Sequence, residues 1–68
     1  MFSYQPLNVL LAEKNMSKTQ LMKEIKVSSA TIAKFKKNET VNMEVLGKIC
    51  QRLNCKIDDI VKYVNEQE

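Results

Sequence analysis

The most constraining feature of this 68-residue sequence is a pair of serine-capped helical segments separated by only three residues. Ser17 precedes the first segment, and Gln20 follows three positions later. This spacing lets the serine hydroxyl accept the Gln20 backbone N–H while the glutamine side chain returns to the cap. Ser28 precedes the second segment in the same way. Because so short a link forces two helices to cross sharply, the sequence predicts a rigid two-helix unit over residues 18–37.

The remaining apolar residues have the spacing of a helical scaffold around this unit. Pro6 suits the first turn of a helix, and Asn42 suits the cap of another. The predicted helices span residues 6–14, 18–25, 29–37, 43–53 and 57–64. With one glycine and one proline in the chain, the predicted fold class is all-α, a compact five-helix domain over residues 1–68.

The two ends of the chain are predicted to lie outside these helices. Residues 1–5 form an N-terminal arm that carries Phe2 and Tyr4. Three roles are open for this arm: a disordered segment, a lid on the core, or part of a dimer contact. We favour the lid. Residues 65–68 are expected to be a frayed tail.

The net charge of +3 is unevenly distributed along the chain. Residues 17–37 carry six lysines against one glutamate, a net charge of +5. Residues 1–16 and 38–53 are each neutral, and residues 54–68 carry −2. A lysine run alone is more often a solvated face, but an excess confined to one structural unit favours a polyanion as partner.

Several other classes of protein are disfavoured by the sequence. No stretch is long and apolar enough to span a bilayer. The N-terminal segment lacks the basic region and the small-residue cleavage site of a signal peptide. The expected location is therefore the cytoplasm.

The residues needed for catalysis or metal binding are also lacking. The chain has no histidine, and Gly47 is its single glycine, so neither a His-based site nor a glycine-rich phosphate loop can form. Cys50 and Cys55 are too few ligands for zinc and are expected to be packed free thiols. Asp58 and Asp59 are adjacent and do not face each other on a helix. We therefore expect no enzyme activity, no cofactor, no metal and no small-molecule ligand.

The segment 18–37 resembles the helix-turn-helix of the lambda-repressor and Cro-like (Xre-type) transcriptional regulators. The residues that fall where this motif buries apolar side chains are Leu21, Ile25, Val27, Ile32 and Phe35. The resemblance extends over roughly the whole chain and includes the run V-L-x-K-I-C-x-x-L-N-C at residues 45–55. Two positions depart from the pattern. Met22 stands where the family usually has alanine, and Lys26 stands where glycine usually takes the left-handed turn.

The resemblance implies a small bacterial or phage regulator, in most cases a repressor, that binds double-stranded DNA sequence-specifically. Its second and third helices would form the helix-turn-helix, with residues 29–37 as the recognition helix in the major groove. The positions that match base-contacting residues are Ser28, Ser29, Ala30, Ala33 and Lys34. The positions that match phosphate-contacting residues are Ser17, Lys18, Lys37 and Asn38. Since the outward face has no Arg, Asn or Gln, we expect affinity to depend heavily on phosphates.

The resemblance also implies a homodimer, at least on DNA. The dimer surface would come from the last helix and the tail around Tyr63, with the N-terminal arm as a possible addition. The alternative is a helical protein-interaction module, such as an antitoxin or adaptor, that uses the same fold without reading sequence. A steep salt dependence of duplex binding distinguishes the DNA-binding function from this alternative.

Overall fold

Residues 1–65, the part of the chain that the computed structural model describes, form four α-helices, one 3-10 turn and one two-stranded antiparallel sheet. In chain order they are β1 (Phe2–Ser3), α1 (Gln5–Glu13), α2 (Lys18–Ile25), α3 (Ser29–Lys36), α4 (Met43–Leu53), the 3-10 turn (Ile57–Asp59) and β2 (Lys62–Tyr63). Residues 66–68 of the predicted tail lie outside the described part.

The four α-helices agree with the first four predicted helices to within one residue at each end. Each is followed by a residue in the left-handed conformation, with φ of 54–58° at Asn15, Lys26, Asn38 and Asn54. The residue after each of these donates its N–H to the carbonyl five positions earlier, at N···O distances of 2.9–3.3 Å. These bonds satisfy carbonyls that a helix end otherwise leaves unpaired. None of the helices within residues 1–65 is long and apolar enough to cross a membrane.

The hydrophobic core receives side chains from all four α-helices. Its buried members are Tyr4, Leu7, Leu11, Leu21, Met22, Ile25, Phe35, Leu46, Ile49, Leu53 and Ile60. Cys50 and Cys55 are half-buried free thiols at its border, as predicted. Burial of these apolar groups supplies the main favourable term in folding, because helices of eight to eleven residues are marginal alone.

The predicted fifth helix at residues 57–64 is wrong. A single 3-10 turn ends at Asp59, and the chain then extends into β2, which pairs with β1 in the register Phe2↔Tyr63 and Ser3↔Lys62. The helical spacing of the apolar residues in this segment was misleading. The segment I-V-K-Y-V at residues 60–64 consists largely of β-branched and aromatic residues, which fit a pleated strand. Backbone pairing with the N-terminal arm decides its conformation.

The N-terminal arm is part of the folded domain. Beyond the β1–β2 pairing, the Val64 N–H donates to the Met1 carbonyl at 2.7 Å, and the Phe2 ring meets the Tyr63 ring edge to face at 5.4 Å. Tyr4 is only 2% exposed and lies in the core. Among the three roles open for this arm, coverage of the protein's own core is the one observed. The arm also closes the domain by joining its two ends.

Candidate nucleic-acid interface

The start of α2 is fixed by Ser17. Its Oγ accepts the Gln20 backbone N–H at 3.0 Å, which is the predicted cap. The returning half of the capping box is not formed, because the Gln20 amide donates to the Glu24 carboxylate at 3.2 Å instead. Glu24 also pairs with Arg52 of α4, and this pair lowers the pKa of the Glu24 carboxyl. The Gln20 backbone therefore contributes to the helix start, whereas its side chain supports the contact between α2 and α4 through Glu24.

The turn between α2 and α3 occupies residues 26–28. Lys26 adopts φ 57° and ψ 52°, a left-handed conformation that is costly for a residue with a Cβ atom. Val27 is half-buried and donates its N–H to the Met22 carbonyl at 3.3 Å. Ser28 is extended, and its Oγ accepts the Thr31 N–H at 3.3 Å. The second predicted cap is thus present, and α3 starts in a fixed direction.

The outward face of α3 consists of small and basic side chains. Phe35 is buried against the Tyr4 ring at a centroid distance of 4.6 Å, and Thr31 and Ile32 are half-buried. This anchoring turns the opposite side of the helix to solvent. The five predicted base-contacting residues, Ser28, Ser29, Ala30, Ala33 and Lys34, are all exposed. From Ser29 to Ala33 the exposed side chains of α3 are therefore all small, which permits close approach to base edges.

The corner after α3 is held by the N-terminal arm. Asn38 has φ 58°, and its side-chain Oδ1 accepts the Tyr4 backbone N–H at 3.2 Å. The Tyr4 hydroxyl donates to the Glu39 carbonyl at 2.7 Å. Burial raises the pKa of the Tyr4 phenol, so the hydroxyl remains a donor at neutral pH. The partners in these two hydrogen bonds are separated by 34 and 35 positions in the sequence, respectively. No local pattern predicts such contacts.

The phosphate-contacting residues predicted at the two ends of the unit differ in exposure. Ser17, Lys37 and Asn38 are exposed, whereas Lys18 is half-buried. Burial lowers the pKa of the Lys18 ammonium, and the positive charge of Lys36 lowers it further. Lys36, which is exposed near the end of α3, is not among the predicted site residues.

Eight of the nine predicted site residues are exposed and Lys18 is half-buried; they lie at the start of α2, at the start and on the outward side of α3, and at the corner that follows α3. The contacts of individual residues with DNA remain predictions. This arrangement suits a polyanionic ligand. Lys34, Lys36 and Lys37 are exposed on α3 or directly after it, and the exposed side chains at the start of α3 are small. Among the described residues, Glu24 is the sole acidic group between positions 17 and 37, and it is engaged by Arg52.

Comparison with known proteins agrees with this geometry. Residues 6–66 match the sequence profile of the Cro/C1-type helix-turn-helix (HTH) DNA-binding domain. The chain is 28% identical over 64 residues to YozG, an uncharacterized HTH-type transcriptional regulator of Bacillus subtilis (strain 168), covering 91% of this chain and 76% of YozG. Its fold superposes on the crystal structure of the transcriptional regulator VanUg (Form II) with a TM-score of 0.93 and 42% sequence identity. That alignment covers 96% of this chain and 87% of VanUg.

Proposed function

This chain belongs to the family of Cro/C1-type helix-turn-helix DNA-binding domains, is a DNA-binding transcriptional regulator, and, we propose, represses transcription by inserting α3 into the major groove of an operator. The observation that carries the proposal is the exposed serine, alanine and lysine face of α3, held by a cap at its start and by the arm at its end. A helix fixed at both ends presents its side chains in one orientation. Occupancy of an operator would then exclude the transcription machinery.

The proposed base contacts have unequal weight. Lys34 can donate to guanine O6 or N7, and the methyl groups of Ala30 and Ala33 can pack on thymine methyls. Ser28 and Ser29 donate or accept and therefore discriminate weakly between bases. We expect Lys34 to provide most of the direct base recognition. Its replacement should therefore relax the sequence preference at one base step.

The proposed phosphate contacts lie around these base-reading residues. Ser17 and Lys18 stand at the start of α2, and Lys37 and Asn38 stand at the corner after α3. The Ser17 oxygen accepts a backbone N–H, which leaves its hydroxyl proton for a phosphate oxygen. Such contacts fix the register of the protein on the duplex and make its affinity fall with salt.

Selection of duplexes from a random pool, followed by salt titration of the selected duplex, tests the function. A repressor of this kind selects a common sequence and loses affinity steeply as salt rises. Lys34→Ala should weaken the selected duplex by about 1–3 kcal/mol and relax one position, whereas Lys18→Ala should weaken all sequences alike. A pool that shows no enrichment and no duplex binding at low salt would favour the protein-interaction module instead.

Homodimerisation on DNA is part of the proposal, through a surface that we call the apolar patch: Phe2, Met43, Ile57 and Tyr63. These residues are 42%, 67%, 38% and 69% exposed. The first three line a groove of about 310 Å³ whose eight lining residues are all uncharged, and Tyr63 contacts the Phe2 ring. A symmetric dimer brings the same surface of each copy together. An uncharged surface suits this contact, because two copies of a basic protein would repel each other elsewhere.

Sedimentation with and without a selected duplex tests the dimer. Met43→Lys should weaken association, since it places two like charges across a symmetric contact. Val9→Lys is the matched control, because Val9 is 49% exposed but lines a different groove on α1. An unchanged protein that remains monomeric at tens of micromolar in both conditions, or a Met43→Lys variant that dimerises as well as Val9→Lys, would contradict this interface.

A further inference from the structure

The two cysteines of the chain, Cys50 and Cys55, lie on the two sides of the turn that ends α4. Between them, Asn54 is left-handed with φ 54° and ψ 55°. The Cys55 backbone N–H donates to the Cys50 carbonyl at 3.0 Å. A hydrogen bond of this span across a left-handed residue is the Schellman motif, in which the side chains of the two bonded residues commonly touch. The helix end therefore brings the two cysteines together.

The same backbone hydrogen bond limits how far apart the Cα atoms of the two cysteines can lie. A carbonyl oxygen is about 2.4 Å from its own Cα atom, and an amide nitrogen is about 1.46 Å from its own. Laid end to end with the 3.0 Å N···O distance, these lengths allow a Cα–Cα separation of at most about 6.9 Å. Two cysteines more than about 7 Å apart cannot be bridged without backbone movement. This pair lies below that limit.

The environment of the two thiols agrees with this closeness. Both are half-buried and pack against the buried side chains of the core. Burial, and secondarily the Cys50 thiol beside it, raises the pKa of the Cys55 thiol to about 11, while the charges of Asp59 and Lys14 act on it in opposite directions. Because neither thiol is fully buried, a small reagent can reach them.

We propose that Cys50 and Cys55 form a modification site for oxidants of the low-molecular-weight disulfide class, at which the two thiols become an intramolecular disulfide across the end of α4. The proposal goes beyond DNA binding and does not depend on it. In the reduced protein the two residues are packed free thiols. Oxidation converts their existing contact into a covalent bond.

The reaction with glutathione disulfide proceeds in two exchanges. The Cys50 thiolate attacks one glutathione sulfur, forms a mixed disulfide and releases one glutathione; Cys55 is the poorer first nucleophile, because its raised pKa keeps it protonated at neutral pH. The Cys55 thiolate then attacks the Cys50 sulfur and releases the second glutathione. The protein loses two electrons and two protons, and the two glutathione molecules gain them.

The bridge fixes the joint between α4 and the segment that leads to β2. α4 contributes Leu46, Ile49 and Leu53 to the core. The chain after Cys55 passes through the 3-10 turn into β2, which pairs with β1. Local opening of the turn at Asn54 separates these two parts, and a disulfide across the turn prevents that opening. Oxidation should therefore slow hydrogen exchange of the Cys55 N–H and raise the Tm.

Equilibration of the purified protein with mixtures of reduced and oxidised glutathione, at about pH 8.5, tests the site. The folded protein should give one species that is lighter than the reduced protein by two hydrogen atoms and that resists iodoacetamide until it is reduced. The equilibrium constant for its formation should be at least about tenfold larger than in urea, because the folded turn already holds the thiols together. Mixed disulfides or covalent dimers in place of this species, or a larger equilibrium constant in urea, would overturn the site.

Cys50→Ser and Cys55→Ser are the matched controls, since each variant keeps one thiol in place and removes its partner. Each should end as a mixed disulfide with one glutathione, and Cys55→Ser should form it faster, because it retains the attacking thiol. Faster reaction of Cys50→Ser would overturn the assignment of the first attack. Thermal unfolding checks that both variants fold. The oxidised unchanged protein should have a higher Tm than its reduced form, and an equal or lower Tm would overturn the fixing of the turn.

Discussion

Replacement of Lys26 by glycine should stabilise the protein, because Lys26 adopts a left-handed conformation that glycine accepts without strain. The other three left-handed residues that follow helices are asparagines. The φ of 57° at Lys26 brings the Cβ atom close to the following carbonyl oxygen, at a cost of roughly 1–2 kcal/mol. The conformation is imposed by two hydrogen bonds, from the Lys26 N–H to the Lys23 carbonyl and from the Val27 N–H to the Met22 carbonyl, both at 3.3 Å. Both bonds involve main-chain atoms and remain after the substitution.

The net gain is smaller than the strain that is removed. Glycine adds conformational freedom to the unfolded chain, which costs about 0.4–1 kcal/mol. The expected gain in the free energy of unfolding is therefore about 0.5–1 kcal/mol. At the usual entropy of unfolding per residue, a chain of 68 residues should show a rise in Tm of roughly 4–7 °C. Lys26→Asn should also stabilise, since asparagine accepts the left-handed conformation without the entropy cost of glycine.

Two controls separate strain from charge and from glycine itself. Lys26→Gln removes the same charge but keeps the Cβ atom, and should change stability by less than about 0.5 kcal/mol. Lys23→Gly places glycine within α2 and should cost about 1 kcal/mol. Thermal and urea unfolding monitored by circular dichroism measures all four variants. If Lys26→Gly were no more stable than Lys26→Gln, the left-handed residue would store no strain and the reasoning would be refuted.

Three further predictions concern contacts outside the helix-turn-helix face. Tyr4→Phe removes the hydroxyl that donates to the partly buried Glu39 carbonyl, and urea unfolding should show a loss of about 1–2 kcal/mol; an unchanged midpoint would contradict the importance of this bond. Arg52→Gln removes the ion pair that lowers the pKa of Glu24. A lowered carboxyl pKa stabilises the folded protein above the unfolded pKa of 4.5, and this stabilisation is lost as pH falls through the folded pKa. The variant should therefore be less stable than the unchanged protein at neutral pH, and the difference in stability should vanish in acid. Burial raises the pKa of the Cys55 thiol from 9.0 to about 11, so iodoacetamide should alkylate this thiol slowly at neutral pH. The stability of the protein should fall as pH rises from 9.0 to about 11, because the thiol loses its proton at lower pH in the unfolded chain than in the folded protein.

The helix-turn-helix was predictable from sequence because its signals are local. Ser17, Ser28 and Asn42 each accept a backbone N–H two or three residues later, so the start of each helix depends on neighbouring residues alone. The asparagines that end three helices are equally local signals. The exposed face of α3 then followed from helical rotation and from the burial of Phe35. The type and the bounds of an element were predicted accurately wherever its capping residue and its apolar periodicity agreed.

The last segment was mispredicted because its conformation depends on a distant partner. Ile57, Ile60, Val61 and Val64 have the spacing of a helix face, and the β-branched and aromatic residues of the segment 60–64 favour a strand without excluding a helix. The deciding interaction is the pairing of β2 with β1, about sixty residues earlier in the chain. Pairings of this kind are set by the tertiary fold.

The N-terminal arm contacts the corner after α3 through a residue that is distant in sequence. Asn38 follows the end of α3 in the left-handed conformation and is predicted, by resemblance, to contact a phosphate. The Tyr4 backbone N–H occupies its side-chain Oδ1, which fixes the orientation of the amide and leaves its NH2 group as the donor. A phosphate oxygen requires a donor, so the arm selects the one orientation of Asn38 that can serve the predicted contact. In the proposed complex, the arm would thus position Asn38 for its phosphate contact, in addition to covering the core.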